Sequence, residues 1–465
     1  CTPWGQESIA KTPEPATTSF AKTADPLVNK LAPSLVLVNF DMPYSVSGIT
    51  ERSYYGTGLI VDTERGLVVV DRNTVPAPLG DVRLTFAGSI EVPGRVEYIH
   101  PLHNLAAISY DPKLIGTTPA KAAVLKSVDL QPGQEVWAVG MRVDGKVQSR
   151  SATVASVDPV AFPLSRTLQF RESNWETIAL VNGPGDYDGV LVDKSGAVVA
   201  TWASFAYEAG REIAQENRGV SAELIQEMLP ALRDGQTLHS LEAELQPLPL
   251  AVARKQNLPD DWIRRLEQHS PDRRQVLSVV RTVGGAPADG LLRSGDLILD
   301  IDGQIVNRFR EMERSVQKPS VRITVWRDKA TQVIEVPTVA VGGRDLDRIV
   351  VWAGAVLQKP HRALAAQRGI EPEGVFVAYF SYGSPATRYQ LWAGRRIVEV
   401  DGTPVPDLDA FIRAVSGRED RSSLRLRTVT WNGSVEVMTL KLDKRYWPTY
   451  ELRRTAQGWT RTALE

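Results

Sequence analysis

The sequence predicts a mainly β protein, a barrel or sandwich of short strands followed by two smaller α+β units. Three observations carry this reading. Between Leu27 and about Pro230 the apolar residues fall in short runs, most of them rich in β-branched side chains and separated by Gly, Pro and Asp turns, which is strand patterning. In the second half one pattern occurs twice at a spacing of about 100 residues, too wide for a solenoid. The chain has 465 residues, and at roughly 150 residues per domain that length suits about three domains.

Composition narrows the class. With 43% hydrophobic and 23% charged residues the chain is not disordered as a whole. The 54 basic and 55 acidic residues leave a net charge of −1, so there is no field to gather nucleic acid. No apolar run reaches the ~18 residues of a membrane-spanning helix. The single cysteine, Cys1, excludes an intrachain disulfide and a thiolate metal cluster. No phosphate-cradling Gly loop or dinucleotide fingerprint is present, and no cofactor is expected.

Residues 1–26, with Pro13, Pro15 and Pro26 and few large apolar side chains, read as a tether. Gly58–Val61 and Gly66–Val70 form a hairpin about Asp62-Thr63-Glu64-Arg65. Further strands are Asp81–Phe86, Leu105–Tyr110, Glu135–Gly140, Gly189–Val192 and Ala197–Trp202. So many short strands need closed or covered edges, hence the barrel or sandwich. Ser221 is a good N-cap for a helix whose buried stripe is Leu224, Ile225, Met228 and Leu229, ending before Pro230. In the repeat, Ala286-Pro287-Ala288 leads to Ser294-Gly295-Asp296 and a strand ending in Asp302-Gly303. Ser384-Pro385-Ala386 leads likewise to Ala393-Gly394-Arg395 and a strand ending in Asp401-Gly402. Each copy starts with a small-Pro-Ala helix and closes with another, Phe309 to Val316 and Leu408 to Val415.

The stretches Val70-Asp71-Arg72-Asn73-Thr74-Val75-Pro76, His100-Pro101-Leu102-His103-Asn104 and Tyr446-Trp447-Pro448-Thr449-Tyr450, with the two repeat strands ending in Asp-Gly, resemble HtrA/Deg-type serine proteases with PDZ domains. The likeness is to the degenerate second half of the double-length members, which carry two protease-like and four PDZ domains. It implies a chymotrypsin-like double β-barrel over residues 27–235, PDZ-like domains over 240–342 and 343–450, and a C-terminal tail over 451–465. It also implies where a catalytic triad would stand. The His place is Asn73 and the Asp place is Asn104. The nucleophile place, inside Gly185-Asp186-Tyr187-Asp188-Gly189, is Tyr187. An amide cannot take a proton near neutral pH, a phenol is no substitute for a short hydroxyl arm, and Asp186 and Asp188 would oppose an oxyanion. The expectation is a catalytically inactive scaffold serving protein quality control. Two alternatives stand beside it: endopeptidase activity from a missing N-terminal half or an unrecognised nucleophile, and a structural oligomer subunit without a peptide ligand.

PDZ domains add a peptide to a sheet edge and receive its carboxylate on a loop of backbone N–H groups. In the second unit Trp352-Ala353-Gly354-Ala355-Val356 matches that loop. In the first unit the matching run is Leu248-Pro249-Leu250-Ala251-Val252, where Pro249 removes an N–H. The resemblance implies unfolded or C-terminal peptides as ligands, an active HtrA-type protease as partner, and a homo-oligomer. Cys1 followed by a polar stretch reads either as the lipidated start of a bacterial lipoprotein facing the periplasm or as a chance cysteine at the edge of a fragment. His100 and His103, with Asp111 downstream, read as surface-loop residues rather than a metal site, as do His239, His269 and His361. Asn432-Gly433-Ser434 reads as a hairpin turn.

Overall fold

A computed structural model describes residues 13–45, 52–162, 173–209, 212–343, 346–360, 371, 373–455 and 458–464. Cys1 and His361 lie outside the described residues. After α1 (Pro26–Leu31), six strands close a first barrel: β1 (Leu35–Asp41), β2 (Ser53–Asp62), β3 (Leu67–Val70), β4 (Asp81–Phe86), β5 (Ile90–Ile99) and β6 (Ala106–Tyr110), in the order β1-β2-β3-β6-β5-β4. Six more close a second: β7 (Glu135–Met141), β8 (Val147–Val160), β9 (Trp175–Val181), β10 (Gly189–Val192), β11 (Val198–Ala209) and β12 (Glu212–Ser221). Strand alternation builds two cores from one segment. On β3, Val68 and Val70 face into the first barrel, whereas Leu67 and Val69 face a seam shared with Val139, Val190 and Val192 of the second. Burial on both faces explains why this strand is an unbroken apolar run.

α2 (Ala222–Asp234) is capped by Ser221, whose side chain accepts the Glu223 N–H at 3.3 Å. The helix does not stop before Pro230, as the sequence suggested, but runs through it to Gly235, which ends it at φ 67°. A proline inside a helix costs about 3 kcal/mol. Burial of Leu224, Ile225, Met228 and Leu229 on the seam opposes that cost, at about 1.5–3 kcal/mol per fully buried side chain.

The first repeat contains β13 (Leu238–Ser240), β14 (Ala243–Pro249), α3 (Leu250–Lys255), α4 (Asp260–His269), β15 (Gln275–Thr282), β16 (Leu297–Ile301), β17 (Gln304–Ile305), α5 (Phe309–Ser315), β18 (Ser320–Arg327), β19 (Ala330–Pro337) and β20 (Val339–Val341). Its main sheet runs β14-β15-β16-β18-β19, and β13 pairs with β20. Ala286-Pro287-Ala288 opens turns here, not the expected helix. The second repeat contains β21 (Arg348–Trp352), β22 (Ala355–Gln358), β23 (Val375–Phe380), α6 (Pro385–Arg388), β24 (Arg396–Val400), β25 (Thr403–Pro404), α7 (Leu408–Val415), β26 (Ser423–Val429) and β27 (Val435–Lys441), followed by β28 (Tyr450–Thr455) and β29 (Gly458–Ala463). The sheet runs β27-β26-β24-β23-β22-β21-β28-β29.

Two boundaries differ from the sequence reading. Residues 451–465 are not a free tail where they are described, because β28 pairs with β21 and β29 with β28. Leu452, with Ile349, Val356 and Phe376, packs into the apolar cluster of the first barrel, and Trp459 Nε1 donates to Asp81 at 2.9 Å. The alternation Glu451-Leu452-Arg453 is ordinary strand patterning, hidden by its short length. The tether is docked too: Ala16 N–H donates to Leu114 O at 3.0 Å, and Thr18 N–H to Thr118 Oγ1 at 3.0 Å.

Candidate functional site

Two of the three triad-related positions, Asn73 and Asn104, converge on one residue that the sequence did not single out, Ser204 on β11. Asn73 follows β3 in a turn held by Asp71, whose Oδ1 accepts the Thr74 N–H at 2.7 Å. From that turn Asn73 Nδ2 donates to Ser204 Oγ at 2.8 Å. Asn104, buried just before β6, accepts the Arg72 N–H at 2.6 Å and donates from Nδ2 to Ser204 O at 2.7 Å. Gln215 of β12 donates to Ser204 Oγ at 2.5 Å, and Asp71 Oδ2 accepts the Ser204 N–H at 2.8 Å. Tyr187 is tied in by its carbonyl, which accepts from Asn217 Nδ2 at 2.8 Å, while its hydroxyl donates to Ala138 O at 3.2 Å. Ser204 was legible as the polar residue inside the apolar run Ala203-Ser204-Phe205, but nothing in the sequence tied it to Asn73 and Asn104.

Asp188 turns inward rather than into the cleft. Its Oδ1 accepts the Thr57 N–H at 2.9 Å, its carbonyl accepts Thr57 Oγ1 at 3.0 Å, and its carboxyl hydrogen-bonds that of Asp71. Burial first, then the neighbouring Asp71 charge, pushes the Asp188 carboxyl well above the usual range, and burial raises Asp71. The Asp188 carboxyl is 8% exposed and bound to Thr57, so it does not project into the cleft as the sequence reading placed it. Asp186 stays exposed, 3.7 Å from Arg142. The Tyr187 hydroxyl is pushed up to about 12, chiefly by burial. Gly185 has open space about it, whereas a Cβ at Gly189 would lie 2.2 Å from Val139 O.

The histidine pair is not at the surface. His100 and His103 are each 2% exposed. His100 Nδ1 accepts N–H bonds from Leu102 at 3.1 Å and His103 at 3.0 Å, and burial holds its pKa well below the usual value. His103 Nε2 meets Glu313 Oε1 of α5 at 2.6 Å, joining the first barrel to the first repeat. That partner is 210 residues away, which is why spacing alone suggested a surface loop. Asp111 stands apart from them and caps a 3-10 turn, accepting the Lys113 N–H at 3.0 Å. His239 contacts Thr338 Oγ1 at 2.8 Å and His269 contacts Glu311 at 2.9 Å. Among the described residues no three His, Cys, Asp or Glu side chains are grouped to hold a metal ion.

In the second repeat Trp352 ends β21, Ala353-Gly354 form the turn, and Ala355 and Val356 open β22. Gly354 has φ 81°, and a Cβ there would lie 2.2 Å from Ser384 Cβ. The edge of β22 beside that loop is not open: β21 pairs along it, Trp352 with Ala355, Val351 with Val356 and Val350 with Leu357. In the first repeat the loop lies one strand length earlier than the sequence suggests. Leu248 lies near the end of β14 and Leu250 opens α3, where Leu250, Ala253 and Ile263 pack together. The loop corresponding to Ala353-Gly354 is Leu241-Glu242. Glu242 O accepts the Val283 N–H at 2.9 Å as Gly354 O accepts the Ser381 N–H at 2.8 Å, and Glu242 has φ 59°. A Glu at the place of the Gly concealed the match.

A family model for a PDZ-like domain matches residues 346–421. Over 96% of its length the chain is 34% identical to Protease Do-like 7 of Arabidopsis thaliana. This chain is an HtrA-like protease family member with PDZ domains. The HtrA-like chain is also 32% identical over 98% of its length to a PDZ domain-containing protein of Schizosaccharomyces pombe. It is 32% identical over 95% to the pro-apoptotic serine protease nma111 of Neosartorya fischeri. It spans about half the length of these relatives, 45%, 47% and 44% respectively.

Proposed function

We propose that this HtrA-like chain is a non-hydrolytic scaffold that engages peptides or partner chains through its first PDZ-like unit, in protein quality control. The observation that carries the reading is the Ser204-centred amide network. Asn73 and Asn104, where a base and its orienting acid would stand, spend their side chains on Ser204, and neither can accept a proton. Tyr187 with a pKa of about 12 is not a ready nucleophile. Ser204 Oγ accepts two amide N–H bonds and, among the described residues, has no imidazole hydrogen-bonded to it. The test is labelling of the purified chain with a fluorophosphonate probe. No label is expected, and a label abolished by Ser204→Ala or by any other single serine substitution would establish the endopeptidase alternative.

The reading as a structural subunit without a peptide ligand is favoured by one observation, the occupation of the β22 edge by β21. An active HtrA-type protease as partner and a homo-oligomer remain within the proposal, tested by co-purification and by light scattering. The lipid anchor rests on Cys1 alone. Mass spectrometry of the native N-terminal peptide tests it, and an unmodified Cys1 removes both the anchor and the envelope location argued from it.

A further inference from the structure

The first repeat has a strand edge of unusual chemistry, covered by one side-chain amide. β14 pairs with β15 on one side. On the other, Asn174 from the start of the second barrel's β9 reaches across: its Nδ2 donates to Ala243 O at 2.7 Å and its Oδ1 accepts the Leu245 N–H at 2.7 Å. One side-chain amide thus supplies the donor and the acceptor that an added strand's backbone would supply. By strand alternation the next outward positions are Pro247 and Pro249, which have no N–H, so a ladder on this edge ends at Leu245.

The loop before β14 is equally altered. Where the second repeat has Gly354 it carries Glu242, whose N–H donates to Ser240 Oγ at 3.1 Å. A ligand carboxylate arriving there would meet an acidic residue and a donor already engaged. What the groove keeps is an apolar cavity between β14 and α5, lined by Leu241, Val283, Met312 and Val316, with His103 and Glu313 on its barrel side.

We propose that this groove takes a short internal segment bearing a bulky apolar side chain, not a chain terminus, and that the Asn174 amide occupies the two strand-pairing groups of β14 until that segment displaces it. The proposal rests on the peptide-binding reading above. Ligand contact is then limited to one pair of backbone bonds, and the cavity supplies the remaining affinity. Displacement also removes a link between the second barrel and the repeat, so binding is coupled to how firmly the two are docked.

The probe is a fluorescein-labelled octapeptide, Gly-Ser-Val-Phe-Val-Ser-Gly-Ser, as free acid and as C-terminal amide, titrated by anisotropy against the full chain. Asn174→Gly suits the left-handed backbone at φ 57° and removes the amide. It should bind both peptides at least about fivefold more tightly than the native chain. Asn174→Asp, which keeps the acceptor and loses the donor, should fall between. The amide peptide should bind no more weakly than the acid. Equal affinity of native and Asn174→Gly chains, each folded by circular dichroism, overturns the displacement. An acid peptide tighter by about tenfold overturns the internal-segment specificity. No binding to any chain at saturating concentration removes the peptide-binding reading itself.

Discussion

At the scale of single residues, the site is defined by where protons sit. Asp188 and Asp71 form a buried carboxyl pair across the two barrels, and both are held protonated to higher pH than in an unfolded chain. Over that window the unfolded state binds fewer protons than the folded one. The pair's contribution is therefore complete below the ordinary carboxyl pKa of about 4 and is lost as pH rises through the folded value. Melting temperature should fall as pH rises above about 4, more steeply for the native chain than for Asp188→Asn, which keeps an acceptor for Thr57 and cannot ionise. Parallel curves would remove Asp188 from the account. Tyr187→Ser alone should leave cleavage of a fluorogenic casein at background, because Asn73 still cannot take the proton. Turnover in that variant would mean a base exists elsewhere in the cleft. The triad substitutions themselves were legible, since each stands inside a run that resembles the family. The direction of Asp188 was not, because only the fold sets a carboxylate against a second carboxyl rather than against solvent.

At the scale of elements, α5 and its N-cap Arg308 dock the first repeat onto β9 and α2 by arginines. Arg308 meets Glu176 at 2.7 Å, Arg310 meets Glu227 at 2.7 Å, and Arg314 meets Glu223 at 2.5 Å. Arginine side chains are mostly exposed in folded proteins, yet Arg310 is 9% exposed. Arg310→Leu leaves Glu227 and Glu313 without their shared cation and should cost about 3 kcal/mol in urea unfolding. Glu223→Gln, at a more open pair, should cost about 0.5 kcal/mol and lose that effect in high salt. Strand and helix existence was largely readable from period and capping, as at β3 and α7. What misled was context: Leu248-Pro249-Leu250 is apolar enough for a loop or a strand, and only the packing of Leu250 against Ile263 makes it the start of a helix. Likewise β28 and β29 look like a tail until β21 is in place to pair with β28 and β28 with β29.

At the scale of the whole molecule, the second repeat shares an apolar cluster with the first barrel through Ile349, Val356, Phe376 and Leu452. A chain cut after Tyr450 loses β28, β29 and the Leu452 contact. It should unfold in two urea transitions, the first reporting the second repeat, whereas the native chain should show that repeat and the first barrel melting together. Coincident transitions in the cut chain would mean that β28 and β29 are accessory. A barrel or sandwich was visible from strand and turn spacing, the double barrel came from the family resemblance, and the tandem repeat was visible from the duplicated Asp-Gly turns. The mutual docking of these parts was not, because the contacts join residues from 69 to 378 positions apart.

The reach of β29 to the first barrel sets a condition on biosynthesis. The Trp459–Asp81 hydrogen bond spans 378 residues, and the Arg454–Val96 hydrogen bond spans 358. A ribosome adding roughly 5–20 residues per second leaves the outer face of the first barrel uncovered for about 20–75 seconds after its strands emerge. During translation that sticky face has to be shielded by something other than its native neighbour, so yield in cells should depend on holdase chaperones more than equilibrium stability alone would suggest.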